Sequence, residues 1–170
     1  MSRALSSDKR ACSRTVPLRS EKDREAIVEG LKSGVIDAIV SDHRPEDQAS
    51  KRVPFAQAEP GGIGLETLLP VSLELVHNKQ ISLPRLFQRL SAAPASLFGL
   101  PGGKLAKGAP ADLVLFDADF AWKIDRVDFW SKTKNSPFDE RPVQGRVMAT
   151  IVGGRTIYRH DSFTPAAAAA

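Results

Sequence analysis

The chain has 170 residues, enough for one ordinary domain with a sizeable core or for pieces of two. Apolar residues make up 42% and charged residues 26%, the balance of a soluble globular protein, and no run approaches the roughly 18 apolar residues of a membrane-spanning helix. Twenty acids are mixed among 24 bases to leave a net charge of +4, and aromatics are only 6%. No basic block interleaved with stacking residues therefore points to nucleic acid.

Residues 1–14 carry no periodicity, and the start MSRALSSDKRACSRTV lacks the apolar stretch of a secretory signal. The single cysteine, Cys12, excludes an internal disulfide and fits a reducing cytoplasm. It is a poor nucleophile candidate, since no histidine lies near it in sequence. In PLRSEKDREAIVEGLKSG, Ser20 is a plausible N-cap and Asp23 completes a capping box with a shorter acid. Ala26, Ile27 and Leu31 form an apolar stripe and Gly34 is a stop signal, so a helix is expected from about Glu21 to Lys32.

Val35 to Val40 reads as a short strand with both faces covered. Helix, glycine and buried strand form an α/β unit of a parallel sheet, where catalytic groups lie just past the carboxyl ends of strands. Ser41, Asp42 and His43 occupy that place. Residues 44–62 then read as a long loop rich in proline and charge, the kind that is usually functional or mobile.

A helix follows from about Leu65 to His77, which Pro70 should kink or break near its first turn. Two short helices come next, one capped by Ser82 with Pro84 in its first turn and one opening at Pro94. From Gly102 the chain turns β-rich, with Gly153-Gly154 as a two-residue hairpin turn between Ala149–Val152 and Thr156–Tyr158. The tail FTPAAAAA is low-complexity.

Asp42 and His43 are the strongest chemical candidates. An aspartate at a sheet mouth can ligate a metal, orient a metal-bound water or shuttle a proton, and it can equally cap a helix or pair within a loop. The other histidines offer little support. His77 ends an amphipathic helix, where it suits the dipole, and His160 lies near the tail. Three histidines and no cysteine cluster are too few for the usual zinc arrangements. Gly61-Gly62-Ile63-Gly64 precedes a helix and could offer amides to an anion or carbonyl, or serve only as a flexible helix entry. It lacks the lysine and preceding strand of a phosphate loop, which argues against nucleotides. SKTKNSPF, Ser131 to Phe138, looks polar and exposed with no acid/base pair, and Trp122 and Trp130 read as packing residues.

Taken together, PLRSEKDREAIVEGLKSGVIDAIVSDHRPED, PGGIGLETLLP, GGKLAKGAPADLVLFD and SKTKNSPFDERPVQGRVMATIVGGRTIY resemble, in order, the C-terminal part of dihydroorotases. More broadly they resemble the cyclic-amide hydrolases of the amidohydrolase superfamily, with hydantoinases and allantoinases as cousins. The resemblance runs from about Thr15 to Tyr158. It implies a metal-dependent (β/α)8 barrel with a small composite β-sandwich, of which this chain would hold the last helix–strand unit, the following helices and the C-terminal strands. The expected division is an unpatterned segment at 1–14, the terminal part of the barrel at 15–101, a β-rich composite domain at 102–160 and a low-complexity tail at 161–170.

The activity implied is reversible cyclisation of N-carbamoyl-L-aspartate to dihydroorotate in pyrimidine biosynthesis, in the cytoplasm, with zinc as the expected cofactor. On the resemblance, Asp42 both binds metal and moves the proton, His43 shapes the pocket, and Pro60, Gly61 and Gly62 meet the pyrimidine ring through their backbone.

This chain also departs from the pattern. Ser41 stands where threonine is usual, Glu46 replaces a substrate-binding histidine, and Thr15 stands at the position of an asparagine. The family's remaining metal ligands belong upstream of Thr15, so the chain is expected to be inactive by itself. Two other outcomes of the resemblance are a non-catalytic partner of aspartate transcarbamoylase and a hydantoinase- or allantoinase-type hydrolase.

Overall fold

The computed structural model describes residues 20–164; Cys12, Thr15, the first segment and the five C-terminal alanines lie outside the described residues. Helix α1 spans Glu21–Ser33. The Ser20 hydroxyl accepts from the Asp23 amide while the Asp23 carboxylate accepts from the Ser20 amide, so the expected capping box is complete. Gly34 closes the helix at φ 91°, a left-handed conformation that favours glycine.

The strand expected at Val35–Val40 does not form. Residues 35–42 form no ladder, and Val35 and Val40 are 81% and 73% exposed. A parallel strand exists only through its neighbours, and among the described residues nothing pairs with this segment along its length. Its anchors are single bonds: the Ile36 amide donates to the Gly30 carbonyl and the Ile39 amide to that of Arg89. Strand-like pairing begins at His43, in an isolated parallel bridge to Gly62.

The expected loop at 44–62 is partly ordered into α2, Gln48–Lys51, capped by the Asp47 carboxylate, and a tight helical turn at Phe55–Gln57. Helix α3 spans Leu68–His77, so Pro70 falls in its first turn, where its missing N–H has no intrahelical partner to lose. The helix is therefore shorter at its start than expected, rather than broken. α4, Leu83–Phe87, has Ser82 as its cap, and α5, Ala93–Leu97, carries Pro94 in its first turn. A wide helical turn at Gln88–Ala92 joins them into one run.

The β-rich part is a three-stranded antiparallel sheet of β1 (Leu113–Lys123), β2 (Pro142–Val152) and β3 (Arg155–Arg159), in that spatial order. Among the described residues no second sheet completes a sandwich. Gly153 and Gly154 make the β2–β3 turn with φ of 55° and 78°, the paired positive angles that a tight hairpin requires.

Two apolar clusters join helices and sheet. Leu73 and Leu86, both fully buried, pack with Ile81 and with flanking residues that include Ile39 and Ala118. Ile63, Ile124, Phe129 and Val143 form the other, with Trp122 and Phe138 against it. Through Ile63 this second cluster fixes the glycine-rich segment to the sheet. Trp122 packs as expected, its indole N–H donating to the Gly145 carbonyl at 2.9 Å. Trp130 does not: it is 86% exposed.

Candidate functional site

The two segments singled out in the sequence, Ser41–Arg44 and Pro60–Gly64, lie side by side. The Arg44 amide donates to the Gly62 carbonyl at 2.9 Å. His43 Nδ1 accepts from the amides of Gly64 at 3.2 Å and Leu65 at 3.4 Å, which assigns that nitrogen as the unprotonated one of the ring. Glycine is required here for space. A Cβ at Gly64 would stand 2.5 Å from the Ser41 carbonyl oxygen, and one at Gly61 would stand 2.9 Å from that of Arg44. Gly61 also has φ 148°.

Asp42 is exposed and holds φ 46°, a left-handed conformation uncommon for any residue but glycine, though aspartate tolerates it better than most. Its neighbour His43 is half-buried, Pro60 is half-buried, and Gly61 through Gly64 are buried. Glu46, where a histidine was expected from the resemblance, is half-buried and paired with Arg44 at 3.1 Å.

Three residues that hold this site are not singled out as site residues by the sequence. Lys51 is only 7% exposed, and its ammonium donates to the Gly61 carbonyl at 2.8 Å and to the Glu59 carbonyl. Asn135 donates from Nδ2 to the same Gly61 carbonyl at 3.3 Å, and its own carbonyl accepts from the Ile63 amide at 3.2 Å. The Glu66 carboxylate accepts the amides of Trp130 at 2.9 Å and Ser131 at 3.1 Å. The SKTKNSPF stretch is thus a brace for the glycine-rich segment rather than a free polar loop. In the sequence Lys51 sits among charges, and a lysine's burial is decided by what folds over it.

The residues present do not fit a zinc ion by themselves. Catalytic zinc takes about three protein ligands, and among the described residues no group of three or more His, Cys, Asp and Glu could hold a metal. His43 spends Nδ1 on backbone amides. His77 lies 3.7 Å from Asp119, and His160 stands edge-on to Phe120 with Nδ1 2.8 Å from the Ser162 hydroxyl. No helix among the described residues is long and apolar enough to cross a membrane.

Comparison with known proteins gives the same pattern as the motifs. Residues 5–157 match the model of the amidohydrolase family. The chain is 49% identical over 146 residues to a dihydroorotase of Wolbachia sp. subsp. Drosophila simulans (strain wRi), covering 86% of this chain and 33% of that protein. It superposes on a D-hydantoinase structure with a TM-score of 0.83 at 25% identity, covering 91% of this chain and 35% of the other. With the L-hydantoinase of Arthrobacter aurescens the TM-score is 0.78 at 34% identity, over 92% and 38% of the two chains. The chain spans about a third of the length of the curated relatives it matches. With nine-tenths of its residues inside the family match and its glycine-rich segment laid against Asp42–Arg44, the chain belongs to the amidohydrolase family.

Proposed function

We propose that this chain is the distal part of a dihydroorotase, the last unit of a (β/α)8 barrel at 15–101 with the composite β-rich domain at 102–160, acting on N-carbamoyl-L-aspartate and dihydroorotate in cytoplasmic pyrimidine biosynthesis. Identities of 49–51% to dihydroorotases favour that substrate over the hydantoins named for its structural neighbours. The observation that carries the reading is the bridge between His43 and Gly62, which sets the aspartate's segment against the proposed ring-contacting backbone. In this reading Asp42 takes the proton of the attacking water and returns it to the departing ring nitrogen. His43 holds the glycine-rich segment by accepting its amides, and Pro60 and Gly61 contact the ring through their backbone. The family expectation of a metal, zinc, is met only when further polypeptide supplies ligands, because the described residues offer no cluster for it.

The test is zinc stoichiometry and turnover, measured on the full chain alone and after mixing with the preceding two-thirds of a Wolbachia dihydroorotase. Alone, the chain binds well under one zinc per molecule and does not turn over carbamoyl-aspartate. Mixed, it gains both, and Asp42→Asn, which keeps the left-handed backbone accessible, abolishes turnover. Tight zinc and turnover by the chain alone, or full rate with Asp42→Asn, would refute the proposal. A substrate panel including hydantoin and allantoin separates the cousin activities. A second reading, a non-catalytic partner of aspartate transcarbamoylase, draws on Glu46, whose carboxylate is tied to Arg44 where a substrate-binding histidine was expected. Co-purification of the two proteins tests it.

A further inference from the structure

Resting on that reading, we infer that Lys51 and Asn135 are positioning residues for the substrate: from opposite ends of the sequence they grip one backbone oxygen, the carbonyl of Gly61, and fix the Gly61–Gly64 segment alongside Asp42–Arg44. The geometry is that of a clamp with three jaws. Lys51 Nζ, on the last residue of α2, reaches the Gly61 carbonyl at 2.8 Å and also the Glu59 carbonyl. Asn135 closes from the sheet side with Nδ2 at 3.3 Å, while its main-chain carbonyl takes the Ile63 amide at 3.2 Å. His43 accepts the Gly64 amide at 3.2 Å from the third side.

Burying an ammonium is costly unless its hydrogen bonds are met, and here it donates to the Glu59 carbonyl and to that of Gly61, within the segment proposed to contact the ring. A glycine-rich segment has no side chains to lock it in place, so its conformation must be set from outside. A lysine and an asparagine on one carbonyl supply what a β-ladder supplies elsewhere. Groups that hold a substrate-contacting backbone equally in ground and transition states act on KM rather than on kcat.

The test uses Lys51→Met, which keeps the aliphatic stem and removes the donor, and Asn135→Asp, which keeps the shape and turns an oxygen toward the Gly61 carbonyl. Amide exchange on the full chain is read at Ile63 and Gly64, with Val143 as the control. Both variants should exchange about tenfold faster at the first two amides and unchanged at Val143, as loss of a hydrogen bond to the Gly61 carbonyl predicts. In the mixture with the Wolbachia segment, KM for dihydroorotate should rise about tenfold with kcat held within about twofold. Unchanged exchange in both variants overturns the inference, and so does faster exchange with unchanged KM, which makes the clamp purely structural. If Lys51→Met does not fold, Asn135→Asp decides alone. Absence of turnover in the unsubstituted mixture counts against the dihydroorotase reading, whereas unchanged exchange in the variants counts against the clamp alone.

Discussion

Adding one methyl group at Gly64 tests whether the site is held together by close backbone approach. The new Cβ would stand 2.5 Å from the Ser41 carbonyl oxygen, inside any contact a real Cβ makes. Because the obstacle is backbone and not the end of a flexible side chain, one of the two segments must move. Overpacking of this kind costs about 1–3 kcal/mol. Moving the segments apart also lengthens the Gly64 N–H to His43 Nδ1 bond at 3.2 Å, worth about 1 kcal/mol. Together Gly64→Ala should lose about 2–4 kcal/mol, a large share of the roughly 5–15 kcal/mol that holds a domain folded. At about 3 °C per kcal/mol this lowers Tm by about 6–12 °C. The control is Gly102→Ala, where a Cβ meets nothing within 4 Å and the backbone needs no positive φ; it should stay within about 0.5 kcal/mol. Urea unfolding of the full chain followed by tryptophan fluorescence measures both. Equal stabilities for the two variants would refute the close approach of Gly64 to Ser41.

Gly145→Ala should be costlier still, by about 2–5 kcal/mol in the same assay, because it adds left-handed strain at φ 103° to a clash with the fully buried Leu73 where β2 crosses α3. Leu86→Ala empties a site with no solvent exposure and should cost about 2–5 kcal/mol, read as a lower urea midpoint with an unchanged slope. The Ser20 hydroxyl and amide hold the Asp23 carboxyl below its ordinary value of 3.8. A depressed carboxyl contributes its stability above the unfolded value and loses it as pH falls through the lower folded one, so the first turn of α1 should fray only below about pH 4. Amide exchange at Asp23 and Arg24 checks this, and Ser20→Ala should show the frayed rate already at neutral pH.

Local signals decided what local chemistry can decide. Ser20 with Asp23, Gly34, Ser82 with Pro84, and Gly153-Gly154 act on their own backbone within a few residues, and the caps and turn they imply are present. The order of the family motifs was equally legible. Tertiary structure decided everything that depends on a distant partner. Val35–Val40 has the composition of a buried strand, yet a strand is made by hydrogen bonds to neighbours that the described residues do not contain. Trp130 looked like core and is exposed because nothing among the described residues covers it. Lys51 and Asn135 looked like surface and became the supports of Gly61, since burial and carbonyl contact arise only when segments ten and 74 residues away fold against them.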